Sequence, residues 1–173
     1  CAVFGVFAAS PVAARLSFYG LSALQHRGQE SSGIAASGGT RLSVHSGNGL
    51  VASVYREEDL DKLPGAVAIG HNRYSTSGGR LKRFNQPFIN KTLGVALAHN
   101  GNLPDTTALE HYLKSRKVST RYLNDSGMML AAICEKIADG LAPEEAIKEC
   151  YPLFTGAFSC VLLTRDTLVT FRD

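Results

Sequence analysis

The chain has 173 residues, 45% of them hydrophobic, and a formal net charge of +3. This length and apolar content suit one globular domain with a sizeable core. The eighteen lysine and arginine residues are spread along the chain and do not form stripes, which argues against a nucleic-acid partner. No apolar run approaches the length that spans a bilayer, so we expect a cytoplasmic protein without a membrane partner.

The four cysteines show neither CxxC spacing nor nearby pairs of histidines. That arrangement is not typical of a zinc site, so we expect no metal and no cofactor. Cys134, Cys150 and Cys160 are interpreted as small, buried, apolar residues.

The periodicity of apolar residues predicts several strands followed by helices and a final strand pair. Strands are predicted over 1–7, 32–36, 42–45, 50–55, 66–72, 93–99, 158–164 and 167–171, and helices over 12–24, 106–115, 126–138 and 143–150. This order lacks the regular alternation that a parallel α/β sheet requires. It favours an antiparallel α+β layer structure.

Cys1 places a thiol and an α-amine on one residue, and the lack of a preceding methionine predicts removal of a leader. An α-amine titrates at about 7.7 to 8.0 and a thiol at about 8.5, so the amine can take the proton of the thiol. Cys1 is therefore a candidate nucleophile. The alternative is that Cys1 is first only because the chain was trimmed there.

A polar cluster at 26–33 follows the first predicted helix and precedes an apolar strand. Gly28 permits a close backbone approach, and Arg27 supplies a fixed charge with forked donors. A helix C-terminus, with basic residues facing the helix dipole, would explain His26 and Arg27 but not the whole segment.

The segment 70–79 changes from a predicted strand to hydroxyl residues and glycines, which predicts a loop that closes over a ligand. Arg73 is suited to bind a carboxylate through two hydrogen bonds, with Ser75, Thr76 and backbone amides completing the contacts. A surface hairpin with a solvated arginine is the competing interpretation.

Asn100 and Gly101 follow a predicted strand, and Asn-Gly commonly forms a hairpin turn. A helix, however, is predicted after Pro104 and Asp105. The Asn100 amide and the Gly101 N–H can instead stabilise the oxyanion of a tetrahedral intermediate.

Farther along, helix capping alone explains the segment that contains Asp125, although its carboxylate can also bind the ammonium group of an amino acid.

Five ordered segments, Cys1, HRGQES, HNRYST, HNGNL and NDS, resemble the class II, N-terminal-nucleophile glutamine amidotransferases. The resemblance covers residues 1–173, which we expect to form one glutamine amidotransferase domain. Tyr74 after Arg73 resembles the branch with a phosphoribosyltransferase domain more than the branch that makes glucosamine 6-phosphate, where a tryptophan is expected. The resemblance implies a four-layer αββα sandwich of two antiparallel sheets.

The same resemblance implies that a Cys1 thioester converts L-glutamine to glutamate and ammonia. The ammonia would pass to a phosphoribosyltransferase domain or chain, which is absent from these residues. The implied catalytic residues are Cys1, Arg27, Gly28, Asn100 and Gly101. The implied substrate-binding residues are Arg73, Tyr74, Thr76 and Asp125, with Arg73 at the α-carboxylate and Asp125 at the α-ammonium group.

Two positions depart from the family pattern. Ala2 replaces a usual glycine beside the nucleophile, and Gly127 replaces a usual acidic residue near the start of a predicted helix. Two alternative functions also stay open, the second of them motivated by these departures and by the absent acceptor domain. One is another N-terminal-cysteine amidase that acts on N-acyl amides, and the other is a regulatory or interaction domain with weak catalysis.

Overall fold

Two four-stranded antiparallel sheets face each other in the computed structural model, which describes residues 1–74 and 82–173. The strands are β1 (Ala2–Phe7), β2 (Ser31–Ser37), β3 (Leu42–Asn48), β4 (Val67–Arg73), β5 (Phe88–Asn90), β6 (Val95–Asp105), β7 (Thr155–Leu163) and β8 (Leu168–Arg172). The first sheet has the order β1-β4-β2-β3 and the second has the order β5-β6-β7-β8.

Helices cover the outer face of each sheet. They are α1 (Ala13–Ala23), α2 (Val51–Val54), α3 (Glu57–Asp61), α4 (Thr107–Ser115), α5 (Asp125–Ala138) and α6 (Pro143–Cys150), with short 3₁₀ turns at Gln25–Arg27, Lys82–Phe84 and Tyr151–Leu153. The first three helices pack with the first sheet, and the last three pack with the second. No helix among the described residues is long and apolar enough to cross a membrane.

Side chains along the central strands point alternately to the two faces of each sheet, and this alternation explains the layered structure. In β2, Ile34 belongs to the core under α1, whereas its neighbour Ala35 belongs to the core between the sheets. In β6, Leu97 packs with the α4–α6 layer, whereas Ala96 and Ala98 face the other sheet. Successive side chains point to opposite faces of a strand, so each central strand contributes to two cores. The α+β prediction and the four-layer αββα sandwich are confirmed.

The strand predicted over 50–55 is wrong, because residues Val51–Val54 form α2. Val51, Val54 and Tyr55 are buried at helical spacing, and Leu50 is exposed. The sequence analysis also missed α3, whose start is held by the Asp59 carboxylate accepting a hydrogen bond from the Arg56 N–H at 3.1 Å.

Strand β6 also runs farther than predicted. It extends to Asp105 and pairs with β7, with Asn100 opposite Ser159 and Gly101 opposite Phe158. Asn100 and Gly101 therefore lie within a paired strand and do not form a hairpin turn. The helix predicted after Asp105 is confirmed as α4, and apart from β6 the correctly predicted elements have ends within three residues of those observed.

Candidate active site

Cys1 lies beside the end of β4. Ala2 pairs with Asn72 in the first sheet, which places Cys1 next to the residues that follow β4. The Cys1 Sγ accepts a hydrogen bond from the Tyr74 N–H at 3.4 Å, and the thiol lies 3.5 Å from the Tyr74 carbonyl oxygen. The N–H contact stabilises the thiolate, whereas the carbonyl contact stabilises the protonated thiol. Tyr74 thus contacts Cys1 through its backbone, while its side chain is exposed.

Arg27 holds the other side of Cys1. Its Nε donates a hydrogen bond to the Cys1 carbonyl oxygen at 3.1 Å. The pKa of the Cys1 α-ammonium group is lowered, first by partial burial and then by the positive charge of Arg27. Both effects disfavour the charged ammonium form. At neutral pH the amine is therefore more often neutral, which is the form that can accept a proton.

Gly28 follows the 3₁₀ turn that contains Arg27, and its lack of a side chain lets this turn pack directly on the backbone of β4. A Cβ at this position would lie 2.8 Å from both the Arg73 carbonyl carbon and the Asn72 carbonyl oxygen. These are backbone atoms of a central strand, so they cannot move aside as a flexible side chain would. The backbone at Gly28 is extended, and the close approach alone requires a glycine.

Arg73 is mostly buried beside an acidic residue that the sequence analysis did not single out. Its Nη1 lies 3.6 Å from Glu30 Oε1, and the two side chains are 13% and 15% exposed. Its guanidinium also lies over the Phe84 ring, 5.7 Å from the ring centroid. Glu30 belongs to the polar cluster at 26–33, so the sequence indicated a polar role for this segment. It did not indicate that Glu30 pairs with Arg73. The predicted ligand Thr76 and the neighbouring Ser75 lie outside the described residues.

Asn100 and Gly101 are connected to β4 through a pair of histidines. The ring Nε2 of His71 lies 3.0 Å from the carbonyl oxygen of His99, which belongs to the peptide preceding Asn100. Gly101 has φ of +155°, and a Cβ there would lie 2.2 Å from the Ala157 carbonyl oxygen. The strand pairing with β7 can therefore accept only glycine at this position.

Asp125 opens α5 and points back to β6. Its Oδ2 accepts a hydrogen bond from the Leu103 N–H at 3.2 Å, and its Oδ1 accepts one from the Ser126 N–H at 2.8 Å. Asn124 caps the helix, because its Oδ1 accepts from the Gly127 N–H at 2.9 Å. Capping and placement of the Asp125 carboxylate are therefore carried out by two different residues.

The sequence analysis also missed a set of buried polar side chains under this region: His71, Gln86, His99 and Ser126. Burial lowers the pKa of His71 to about 3 and keeps the ring neutral. Burial also lowers the pKa of His99, opposed by the negative charge of Asp125. The two histidines stand in the quoted segments HNRYST and HNGNL, but only the fold brings them together.

Direct contacts thus join Cys1 to Arg27 and Tyr74, and Gly28 to the backbone of Arg73. The segment that contains Asn100 and Gly101 is reached through the two histidines, and Asp125 is tied to Leu103 two residues beyond Gly101. A continuous series of contacts therefore links Cys1, through both sheets, to the start of α5.

Comparison with known proteins identifies the family of the chain. A family described as a glutamine amidotransferase domain matches residues 71–173. The chain is 42% identical over 175 residues to an amidophosphoribosyltransferase of Synechococcus elongatus and 34% identical over 176 residues to one of Bacillus subtilis. Both matches cover 100% of this chain but 36% of the relative.

Solved structures give the same result. The glutamine phosphoribosylpyrophosphate amidotransferase of B. subtilis, complexed with ADP and GMP, matches with a TM-score of 0.85 at 34% identity, covering 100% of this chain and 37% of that one. A predicted glutamine amidotransferase of Pseudomonas aeruginosa shares the fold, with a TM-score of 0.56 at 20% identity over 83% of this chain and 60% of that one.

The four-layer sandwich, with a cysteine at the start of β1 beside the end of β4, defines a domain of the N-terminal-nucleophile class. Within that class, the chain belongs to the glutamine amidotransferase domain family. It spans little more than a third of the length of the curated relatives it matches.

Proposed function

We propose that this chain hydrolyses the side-chain amide of L-glutamine at Cys1 and supplies the ammonia to a phosphoribosyltransferase domain or chain. In this proposal residues 1–173 form the glutaminase domain of a phosphoribosylpyrophosphate amidotransferase of purine biosynthesis, the activity named for its relatives. The observation that carries the proposal is the Cys1 sulfur, 3.4 Å from the Tyr74 N–H and directly beside the lowered-pKa amine.

The reaction begins with transfer of the thiol proton to the neutral α-amine, directly or through a water. The thiolate then attacks the amide carbon, and the developing oxyanion accepts hydrogen bonds from the Asn100 side-chain amide and the Gly101 N–H. The C–N bond breaks as the ammonium group of Cys1 returns the proton to the leaving nitrogen. Ammonia leaves and a thioester remains.

Water completes the reaction. The amine removes a proton from the water as its oxygen attacks the thioester carbon, and the same oxyanion contacts form again. Collapse of this second tetrahedral intermediate breaks the C–S bond. The Cys1 sulfur leaves as a thiolate and recovers its proton, and glutamate is released.

Arg73 and Asp125 are proposed to select glutamine over other amides. A guanidinium has five N–H donors, and the ion pair with Glu30 involves the Nη1 end of Arg73, so further donors can bind the α-carboxylate. Tyr74 and Thr76 would complete that side of the substrate. The Asp125 carboxylate, fixed by two backbone N–H groups, would accept hydrogen bonds from the α-ammonium group.

The two departures from the family pattern, Ala2 and Gly127, are compatible with glutamine hydrolysis. Ala2 is buried and pairs with Asn72, so its side chain occupies an ordinary strand position. Gly127 still donates its N–H to the capping Asn124, and a Cβ there would lie 3.3 Å from Leu123. Ala2 thus keeps the strand pairing that places Cys1, and Gly127 keeps the bond to the residue that precedes Asp125. Their effect on the rate is therefore expected to be small.

The remaining cysteines support a cytoplasmic location, which is part of the proposal. Cys134, Cys150 and Cys160 are free thiols and are buried. Unpaired cysteines are usual in proteins of reducing compartments.

Substrate comparison tests the proposal. The protein should release ammonia from glutamine and leave N-acyl amides intact. Asp125→Asn should raise KM for glutamine by about tenfold or more through loss of a charge-assisted contact. Asp105→Asn is the matched control, because Asp105 also accepts a backbone N–H, from Thr107 at 2.9 Å near the start of a helix. Hydrolysis of N-acyl amides in preference to glutamine would favour another amidase, and glutamine binding without ammonia release would favour a regulatory domain.

A further inference from the structure

Three atoms of His99, in β6, contact residues of three other segments of the chain. Its backbone N–H donates to Gln86 Oε1 at 2.7 Å, its carbonyl oxygen lies 3.0 Å from His71 Nε2, and its ring Nδ1 lies 2.7 Å from Ser126 Oγ. His99 and Ser126 are each 2% exposed and Gln86 is 6% exposed. Buried hydrogen bonds of this kind fix a unique arrangement, since an unmade bond is costly away from water.

Gln86 closes this arrangement into a ring. Its Nε2 donates to Ser126 Oγ at 3.3 Å, so its amide bridges the backbone of His99 and the side chain that holds the His99 ring. The backbone of Gln86 packs closely on β2, because a Cβ at Gly33 would overlap the Gln86 carbonyl oxygen. The bridge is therefore in contact with the first sheet as well.

The ring of His99 lies directly against Gly101. A Cβ built on Gly101 would lie 2.9 Å from His99 Nε2, which has no hydrogen-bond partner among the described residues. The ring therefore packs in the space beside the Gly101 backbone, whose N–H is a proposed oxyanion donor. His99 also directly precedes Asn100, the other proposed donor.

We propose that Gln86 and Ser126 are positioning residues that hold His99, and that His99 in turn orients Asn100 and Gly101 for the oxyanion. This inference rests on the proposed glutamine hydrolysis. It adds a linkage from the start of α5 to the oxyanion site, because Ser126 directly follows Asp125. None of the three residues needs to touch glutamine.

This arrangement predicts that Ser126→Ala lowers kcat without changing the affinity for glutamine. Removing the Ser126 hydroxyl takes away its 3.4 Å hydrogen bond to Asp125 Oδ1, but Asp125 keeps the shorter bonds from the Leu103 and Ser126 backbone N–H groups. The ammonium site should therefore survive in Ser126→Ala, whereas the His99 ring loses its partner. Small misplacements of catalytic groups lower rates strongly, so we expect kcat to fall by about tenfold. KM for glutamine and the inhibition constant of glutamate should change by less than about twofold, because ground-state contacts remain.

The experiment uses the full-length gene product that contains these residues, assayed for glutamine hydrolysis. Ser17→Ala is the matched control, because Ser17 is a fully buried serine whose Oγ has no hydrogen-bond partner in the described part of the chain. It should retain wild-type kcat. His99→Asn, which keeps a polar atom near the position of Nδ1, should retain more activity than His99→Leu. Urea unfolding of each variant separates loss of rate from loss of folded protein.

The outcomes are distinct. If Ser126→Ala keeps the kcat of Ser17→Ala, or loses glutamate affinity as strongly as kcat, the positioning role is overturned while the proposed function stands. If His99→Leu is as active as His99→Asn, the ring does not orient the oxyanion donors. A wild-type protein without glutamine hydrolysis overturns the proposed function, and this inference with it.

Discussion

The sulfur of Cys1 lies 3.4 Å from the backbone N–H of Tyr74, the residue that follows Arg73. The proposed nucleophile and the proposed carboxylate-binding side chain are therefore joined to the same short backbone segment at the end of β4. This segment is fixed from two sides, since the Glu30 N–H donates to the Arg73 carbonyl oxygen at 3.0 Å and Gly28 packs against the same peptide. Changes confined to the Arg73 guanidinium should leave Cys1 in place.

Arg73→Lys should weaken glutamine binding and leave kcat nearly unchanged. Lysine keeps the charge opposite Glu30 but loses the planar fork that can bind a carboxylate through two bonds. We expect KM for glutamine to rise by about tenfold to a hundredfold, as for loss of a charge-assisted hydrogen bond. Arg121→Lys is a control at an exposed arginine that lies over the Tyr122 ring. Equal KM values for the two variants would rule out the carboxylate role.

Arg27→Gln should shift the pH profile of kcat/KM. The positive charge of Arg27 lowers the pKa of the Cys1 α-ammonium group, after the larger effect of burial. Removing that charge raises the pKa, so the amine becomes neutral only at higher pH. The acid limb of kcat/KM should therefore move to higher pH, and activity at neutral pH should fall. An acid limb at the wild-type position would show that the amine is not the titrating base.

Gly101→Ala should abolish hydrolysis and lower stability. A Cβ at Gly101 would lie 2.2 Å from the Ala157 carbonyl oxygen, so β6 and β7 would have to separate next to Asn100. Gly39→Ala separates this clash from backbone strain, because Gly39 has φ of +90° and no atom within 4 Å of the added Cβ. The control should lose about 1 to 2 kcal/mol of the free energy of unfolding, from backbone strain alone. Active Gly101→Ala protein, with unfolding like that of the control, would contradict the close strand contact.

His71→Gln should flatten the dependence of stability on pH. Unfolded His71 binds a proton below about pH 6.5, whereas burial holds the folded pKa at about 3. Between these values the unfolded state binds more protons, so stability falls as pH falls, by up to about 1.4 kcal/mol per pH unit. The His71→Gln side chain does not titrate, so it removes that contribution, and its amide retains a donor for the His99 carbonyl oxygen.

Urea unfolding between pH 6 and pH 4 measures this slope, roughly the window in which one buried histidine acts. The exposed His111 on α4 provides the matched control in His111→Gln. A His71→Gln slope equal to that of the control would mean that His71 is not held neutral in the folded protein.

The layer structure follows from the sequence because alternation along each strand assigns side chains to two cores. Leu97 and Ala98, one on each face of β6, are an example. The same reasoning fails at 50–55, where apolar residues fit both a strand and a helix and the helical spacing of Val51 and Val54 prevails. The extension of β6 through Gly101 depends on pairing with β7, more than fifty residues later, and local signals do not contain it.

The candidate site divides in the same way. Cys1, Arg27, Arg73 and Asp125 could be proposed from the sequence because charged and nucleophilic side chains stand in ordered polar segments. Glu30 and the ring of hydrogen bonds around His99 were not assigned, since Gln86 and Ser126 are ordinary polar residues until the fold buries them beside a histidine. Buried polar networks are set by tertiary contacts, which periodicity does not record.

The central claim is that Cys1 is the nucleophile, and covalent trapping tests it most directly. The folded protein is treated with a glutamine-like diazo-ketone, with and without glutamine, and the modified peptides are identified by mass spectrometry. The account predicts a single adduct on Cys1, slowed by glutamine and absent from Cys1→Ser, while the buried Cys134, Cys150 and Cys160 remain unmodified. Folded protein that hydrolyses glutamine without forming an adduct on Cys1, or that is labelled at another cysteine instead, would contradict it.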